Sequence, residues 1–252
     1  PNAATFSVII SIYADLELVK EGLGIHAGMI TEGFKLDIFV ENTLLNMYRK
    51  FGDLDDAYYI FNKMRKRDVV SWTTIMGSFM DHGLANNVIF LYDQMKHMEI
   101  EPDPATLVYI LEACGDLSML GQGQLIHATI IGKGISLENV LGTSIINMYA
   151  KCDRLGEARH VHNGFCVRIV SSWNALIGGC ADQGLYRLAA KYLEDMEQRG
   201  LKPNCRTYTS IIAACSHAGQ VDEGRRHFYN MIEIHGITPD LEHFNCLIDL
   251  LG

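Results

Sequence analysis

Three observations predict an all-α fold, a solenoid of stacked helical hairpins. The sequence repeats itself at an offset of 101 residues, its apolar residues recur at helical spacing, and proline-containing turns fall at regular intervals. At that offset stand Pro1, Pro102 and Pro203, and the chain's two tryptophans, Trp72 and Trp173. His26 and His127, Asn46-Met47-Tyr48 and Asn147-Met148-Tyr149, Gly83-Leu84 and Gly184-Leu185, and Met95 and Met196 keep the same distance. A pair of short helices cannot bury its apolar faces alone, so neighbouring pairs must stack.

The unit subdivides at each recurring start of an apolar helix. The segments are 3–37, 38–68, 69–103, 104–138, 139–169, 170–204 and 205–240, with a partial one at 241–252. Segments 38–68 and 139–169 have 31 residues, 205–240 has 36 and the other complete ones have 35. In 69–103, Trp72, Ile75, Met76, Phe79 and Met80 follow i, i+3, i+4, i+7, i+8 spacing. After a break at His82-Gly83, Val88, Leu91, Tyr92 and Met95 repeat it. In the shorter segments Ala57, Ile60, Phe61 and Met64 are matched by Ala158, Val161, His162 and Phe165. Glu101-Pro102-Asp103, Lys202-Pro203-Asn204 and Thr238-Pro239-Asp240 mark junctions, where proline ends one helix and Asp or Asn can cap the next. Strand-type alternation is absent.

Composition narrows the function. With 48% hydrophobic and 20% charged residues among 252, the chain has enough apolar content for a packed core and is no disordered tail. No apolar run reaches the roughly 18 residues of a membrane-spanning helix. A formal charge of −9 argues against coating nucleic acid or anionic membrane through bulk charge, while leaving room for a local basic groove. Seven cysteines with no Cys-x-x-Cys pair read as reduced thiols of an intracellular or organellar compartment. The chain opens on Pro1-Asn2 and ends on Leu251-Gly252, and both ends read as cut from something longer.

These segments resemble the pentatricopeptide repeat family, specifically the plant subclass with alternating P, L and S repeats. The residues that carry the resemblance run the length of the chain. They are Asp68 to Gly77 for P, and Asn147 to Cys152 with Glu157-Ala158-Arg159 for S. For L they are Leu111 to Cys114 with Leu125-Ile126-His127, then Ala213 to Gly219 followed by Val221 to Gly224 for the last L repeat. Leu241 to Phe244 with Asp249 to Gly252 resemble the start of the terminal S repeat. The implied order is L, S, P, L, S, P, terminal L and the start of terminal S, wound as a right-handed superhelix. Such arrays are known to bind single-stranded organellar RNA in chloroplasts or mitochondria and to select cytidines for C-to-U editing. The zinc deaminase that often follows them needs a His-x-Glu together with a Cys-x-x-Cys, a combination this chain lacks. The fragment is therefore expected to recognise and not to react, with no cofactor or metal of its own.

The resemblance assigns base reading to the fifth residue of each repeat and to its last. The pairs are Ser7/Asp37, Asn42/Asp68, Thr73/Asp103, Val108/Glu138, Thr143/Ile169, Asn174/Asn204 and Thr209/Asp240, with Asn245 opening an unfinished one. An ionised Asp only accepts hydrogen bonds and suits the ring N–H of uracil or guanine, whereas an Asn amide can donate to the bare ring nitrogen of cytosine or adenine. Carried over, Asn42/Asp68 prefers U, Thr73/Asp103 prefers G, and Asn174/Asn204 accepts a pyrimidine. Ser7/Asp37 and Thr209/Asp240 would read G, weakly, as L repeats do. Val108/Glu138 and Thr143/Ile169 depart from the pattern, and Ile169 cannot hydrogen-bond a base. The implied core is 5′-(G)UGNNY(G)-3′.

Second-position residues sandwich bases in the family; Phe39, Val70 and Val140 fit that apolar role, while Ser171, Arg206 and Glu242 do not. Lysine at position thirteen touches phosphate in relatives, and Lys50 and Lys151 match, but Asp81 and Asp182 would repel it. Weak intrinsic affinity and a modest salt slope follow. L repeats in this subclass dock small organellar editing cofactors, and the helix around Gly121–Ile131 is the candidate surface.

Plainer readings stand beside these. Cys114, Cys180 and Cys215 read as packed small hydrophobes, and His26 and His127 as packing or interface residues. His160 and His162 point to different sides of a helix, so a shared metal is disfavoured. Arg65-Lys66-Arg67 reads as a solvated junction or part of a phosphate track. Asp68, Asp103 and Asn204 could simply cap helices; variation of the fifth residue among Asn, Thr and Ser at one structural position favours readout. The alternatives to an editing-factor module are an RNA stabilisation or splicing factor and a protein-binding scaffold of the tetratricopeptide type, whose single period of about 34 residues is absent.

Overall fold

The computed structural model describes residues 3–34, 36–137, 140–164 and 169–251. Glu138, Phe165 and Cys166 lie outside them. Among the described residues the regular elements are helices, paired into hairpins. The first helices of the pairs are α1 (Ala3–Asp15), α3 (Ile38–Lys50), α5 (Val69–Asp81), α7 (Pro104–Asp116), α9 (Val140–Lys151), α11 (Val170–Asp182) and α13 (Cys205–His217). Their partners are α2 (Val19–Thr31), α4 (Leu54–Lys63), α6 (Ala85–His97), α8 (Leu120–Gly132), α10 (Leu155–Asn163), α12 (Tyr186–Gln198) and α14 (Val221–Glu233), and α15 (Leu241–Leu251) follows. The expected all-α fold is observed. In the 31-residue segments the missing residues come out of the second helix, since α4 has 10 residues and α10 has 9 where the others have 13.

Each hairpin turns through a left-handed residue. Gly83 at φ +70° and Gly184 at φ +65° hold this conformation at no steric cost. The corresponding turns of other hairpins use Ser118 at φ 53° and Asp153 at φ 59°, where a Cβ is strained.

The chain forms two compact units, 1–113 and 114–252, with α7 contributing to both. In the first unit α1, α3 and α5 stack in chain order, α2 packs on α1, α4 on α3 and α5, and α6 on α5. Leu44, Leu45, Ile75, Met76, Leu91 and Met95 fill its core, and Phe61 meets Trp72 edge to face at 4.9 Å. In the second unit α9, α11, α13 and α15 stack, with α10, α12 and α14 each wedged against two successive members of that row. Ile145, Met148, Leu176, Ile177 and Ile211 are buried there, and His162 meets Trp173 edge to face at 4.4 Å. Edge-to-face pairs of this kind add about 0.5–1.5 kcal/mol beyond their buried area.

The plain readings of the cysteines and paired histidines hold. Cys114, Cys180 and Cys215 are buried, and loss of solvent pushes each thiol up to about 12. His26 Nδ1 lies 2.7 Å from the Tyr48 hydroxyl, and His127 Nδ1 lies 3.0 Å from that of Tyr149. Arg67 donates to the carbonyls of Phe61 and Asn62 and lies over the Phe61 ring, closing the end of α4. It is therefore committed to the junction.

Buried histidine also makes stability depend on pH. The Tyr186 hydroxyl donates to Glu223 at 2.8 Å and lies 3.3 Å from His227 Nε2. Burial, helped by Arg226 and opposed by Glu223, lowers His227 from 6.5 to about 4. The unfolded chain therefore binds a proton that the folded chain refuses, and stability falls as pH drops from 6.5 towards 4. Urea midpoints measured at pH 7 and pH 5 should show this fall, and His227→Gln should reduce it, leaving the part due to His26 and His127, which burial also lowers; an unchanged slope would show that His227 is not a source.

Candidate nucleic-acid interface

At the junctions between hairpins, the last residue before a first helix caps it. Asp37 accepts from the Val40 amide at 2.9 Å, Asp68 from Ser71 at 3.0 Å and Asp103 from Thr106 at 2.7 Å. In the second unit Asn204 accepts from Thr207 at 3.1 Å and Asp240 from His243 at 3.1 Å. A backbone N–H can only donate, so the atom of Asn204 facing Thr207 is its amide oxygen. Ile169 has no such atom, and α11 starts without a side-chain cap.

These capping groups also meet the fifth residue of the first helix of the preceding hairpin. Asn42 Nδ2 donates to Asp68 Oδ1 at 3.1 Å, and Asn174 Nδ2 donates to Asn204 Oδ1 at 3.1 Å. Thr73 and Asp103 are joined through the Thr106 hydroxyl, 2.6 Å from Thr73 Oγ1 and 2.7 Å from Asp103 Oδ1. Thr209 and Asp240 are joined through His243, whose Nε2 lies 3.3 Å from Thr209 Oγ1 and whose Nδ1 lies 2.5 Å from Asp240 Oδ1. Ser7 and Asp37 are not brought together; the Ser7 hydroxyl is buried without a hydrogen-bond partner. Thr143 reaches the Ser171 hydroxyl at 3.3 Å instead of Ile169. Capping and pairing are thus one arrangement at four junctions, with cap and link both using Oδ1 and not the second terminal atom of the side chain.

That second atom differs in kind. In Asp68 and Asp103 it is a carboxylate oxygen, and in Asn204 it is an amide NH2. Partial burial raises the Asp68 pKa, but hydrogen bonds from the Ser71 amide, the Asn42 amide and the Ser71 hydroxyl outweigh it and hold the carboxyl below the usual range. Asp68 is therefore an ionised acceptor at neutral pH. Beside Asn174 and Asn204 the second unit opens a cavity of about 410 Å³, lined also by Thr143, Asn147, Ser171 and Arg206.

Phe39, Val70 and Val140 stand in solvent on the first turns of their helices, 64%, 54% and 66% exposed. Lys50 and Lys151 are not free cations: Lys50 pairs with Asp15 and Lys151 with Asp116. Arg49 pairs with Asp81 at 2.7 Å, so the Asp81 carboxylate carries its own counter-charge. A phosphate would have to exchange with these pairs, each worth about 0–1 kcal/mol at an exposed site. Charge reading from the sequence missed all three pairings.

Comparison with known proteins now decides the family. A model of the PPR repeat family matches residues 67–116 and 169–217, and a second PPR repeat model matches 4–34, 42–69 and 206–235. The chain belongs to the pentatricopeptide repeat family. A pentatricopeptide repeat-containing protein of Arabidopsis thaliana is 32% identical over 100% of this chain, which covers 41% of that protein. The chloroplastic CRR2 of the same plant is 35% identical over 93% of the chain and 36% of its own length, and a mitochondrial relative is 34% identical over 100% and 39%. The chain spans about two fifths of these relatives. The solved structure of the pentatricopeptide repeat protein PPR10 with an 18-nt psaJ RNA element superposes with a TM-score of 0.70 at 21% identity, covering 99% of this chain and 42% of that one. That likeness shows a shared pentatricopeptide repeat fold. The matched segments are repeats.

The cap geometry makes a stability prediction. Ile169→Asp should stabilise the chain by about 1 kcal/mol by capping α11, and Asp68→Ala should destabilise it by about as much. Urea denaturation of both variants checks this; an Ile169→Asp variant no more stable than the parent would contradict the cap account.

Proposed function

We propose that this chain is a sequence-specific single-stranded RNA-binding module of an organellar C-to-U editing site-recognition factor, reading about one base per repeat. The observation that carries the proposal is the shared geometry of Asn42–Asp68 and Asn174–Asn204, in which a cap fixes one atom of the last residue and frees the other. The free oxygen of Asp68 or Asp103 accepts from the ring N–H of uracil or guanine. The free amide of Asn204 donates to the bare ring nitrogen of cytosine. Asn42/Asp68 then selects U, Thr73/Asp103 selects G and Asn174/Asn204 selects a pyrimidine, within a core 5′-UGNNY-3′. Segments 3–37 to 205–240 are the repeat boundaries this reading uses, in P, L and S order.

Ser7/Asp37 is left without the link that the reading pairs have, and Thr143/Ile169 lacks a polar final residue. A PPR10 complex with RNA and the chloroplastic and mitochondrial naming of relatives support the ligand and the compartment. Phe39, Val70 and Val140 offer apolar surfaces for base stacking, and Lys50 and Lys151 are the phosphate contacts after release from their carboxylates. With net charge −9 the salt slope is shallow. A small editing cofactor protein is assigned to the L-repeat helix α8, where Leu125 and Ile131 are exposed.

Thr73→Asn, with Asp103 kept, tests the reading. Binding by fluorescence anisotropy to RNAs carrying UGNNY or UUNNY should move from G to U at the second position, by about tenfold. A variant that keeps the parent's preference would contradict base reading by this pair.

A further inference from the structure

We propose that the third residue of the following repeat, Ser71, Thr106, Thr207 or His243, is a positioning residue of the reader, so that each reading unit has three members. The inference rests on the RNA-reading function proposed above. Ser71 closes a ring of hydrogen bonds: its hydroxyl lies 2.7 Å from Asn42 Oδ1, to which it donates, and takes the Asp68 amide at 3.3 Å. Its own amide and Asn42 Nδ2 both donate to Asp68 Oδ1. Thr207 builds the same ring, with its hydroxyl 2.7 Å from Asn174 Oδ1 and taking the Asn204 amide at 3.0 Å. Two units far apart in sequence thus share one bonding pattern.

The ring determines what the fifth residue can present. A side-chain amide carries a donor on one arm and an acceptor on the other, and a rotation of half a turn exchanges them. In Asn42 and Asn174 the oxygen is held by the hydroxyl and one nitrogen hydrogen by the cap oxygen, so the remaining N–H has a single direction. Ser71, Thr106 and Thr207 are themselves 0% exposed and cannot touch a base. They act through their neighbours. Thr106 joins Thr73 to Asp103, and His243 joins Thr209 to Asp240 with its two ring nitrogens. Where the position holds Val40, Ser7 and Asp37 remain apart, although both are of reading type.

Ser71→Ala tests the inference while keeping the backbone cap to Asp68. Binding of the chain to RNAs with U, C, G or A opposite Asn42 is compared for parent, Ser71→Ala and Ser71→Thr, with helicity followed by circular dichroism. Preference for U should fall about fivefold or more in Ser71→Ala and return in Ser71→Thr, with preference opposite Thr73 unchanged. Thr207→Val, read opposite Asn174, gives the same test in the second unit should Ser71→Ala unfold. A parent that prefers U and an alanine variant that prefers it equally overturn the inference alone. A parent with no preference opposite Asn42 overturns the reading function, and this inference falls with it.

Discussion

The hairpin junctions at Asp37, Asp68, Asp103, Asn204 and Asp240 each depend on one oxygen atom. The first turn of a helix leaves backbone N–H groups without partners, and the last residue of the preceding hairpin supplies the acceptor. In Asp68, Asp103, Asn204 and Asp240 that acceptor also joins the fifth residue of the preceding hairpin's first helix, directly or through one side chain. A cap is ordinarily a local device worth about 1 kcal/mol. Here the cap and the link share Oδ1, so the second terminal atom is a carboxylate oxygen in Asp and an amide NH2 in Asn. Ile169 has no polar atom, and α11 starts without this acceptor.

The packing around the junctions repeats along the chain. The same contacts recur at the 101-residue offset: His26 with Tyr48 and His127 with Tyr149, both edge to face at 5.6 Å. Lys50 with Asp15 and Lys151 with Asp116 repeat in the same way. Small residues let the helices of a hairpin stack approach closely. A Cβ added to Gly123 would fall 2.4 Å from Met148 Sδ, so a larger residue there would have to displace the Met148 side chain where α8 packs on α9. Rigid, repeated packing of this kind presents the fifth residues of successive helices from equivalent positions within each unit.

The helices and hairpins were legible in the sequence because their cause is local. Apolar spacing of Trp72, Ile75, Met76 and Phe79, glycine at 83 and 184, and Pro-Asp or Pro-Asn at the junctions all act within a few residues. The hydrogen bonds from each cap to a fifth residue were not legible there, because the pairs join residues 26 and 30 apart that only the stacking brings together. Ser71, Thr106 and Thr207 were overlooked, though Asp68-x-x-Ser71, Asp103-x-x-Thr106 and Asn204-x-x-Thr207 have capping-box spacing with a hydroxyl at its end. The lysines at 50 and 151 looked like free phosphate contacts for the same reason. Their carboxylate partners are 35 residues away, one hairpin back.

The most direct measurement is a single-base substitution scan of the RNA against the unmodified chain. Affinities are measured for every base at each position of 5′-UGNNY-3′. The account gives penalties opposite Asn42/Asp68, Thr73/Asp103 and Asn174/Asn204, of about 1–3 kcal/mol for the wrong base, and none opposite Val108/Glu138 and Thr143/Ile169. A flat profile, or penalties confined to the two central positions, would contradict it.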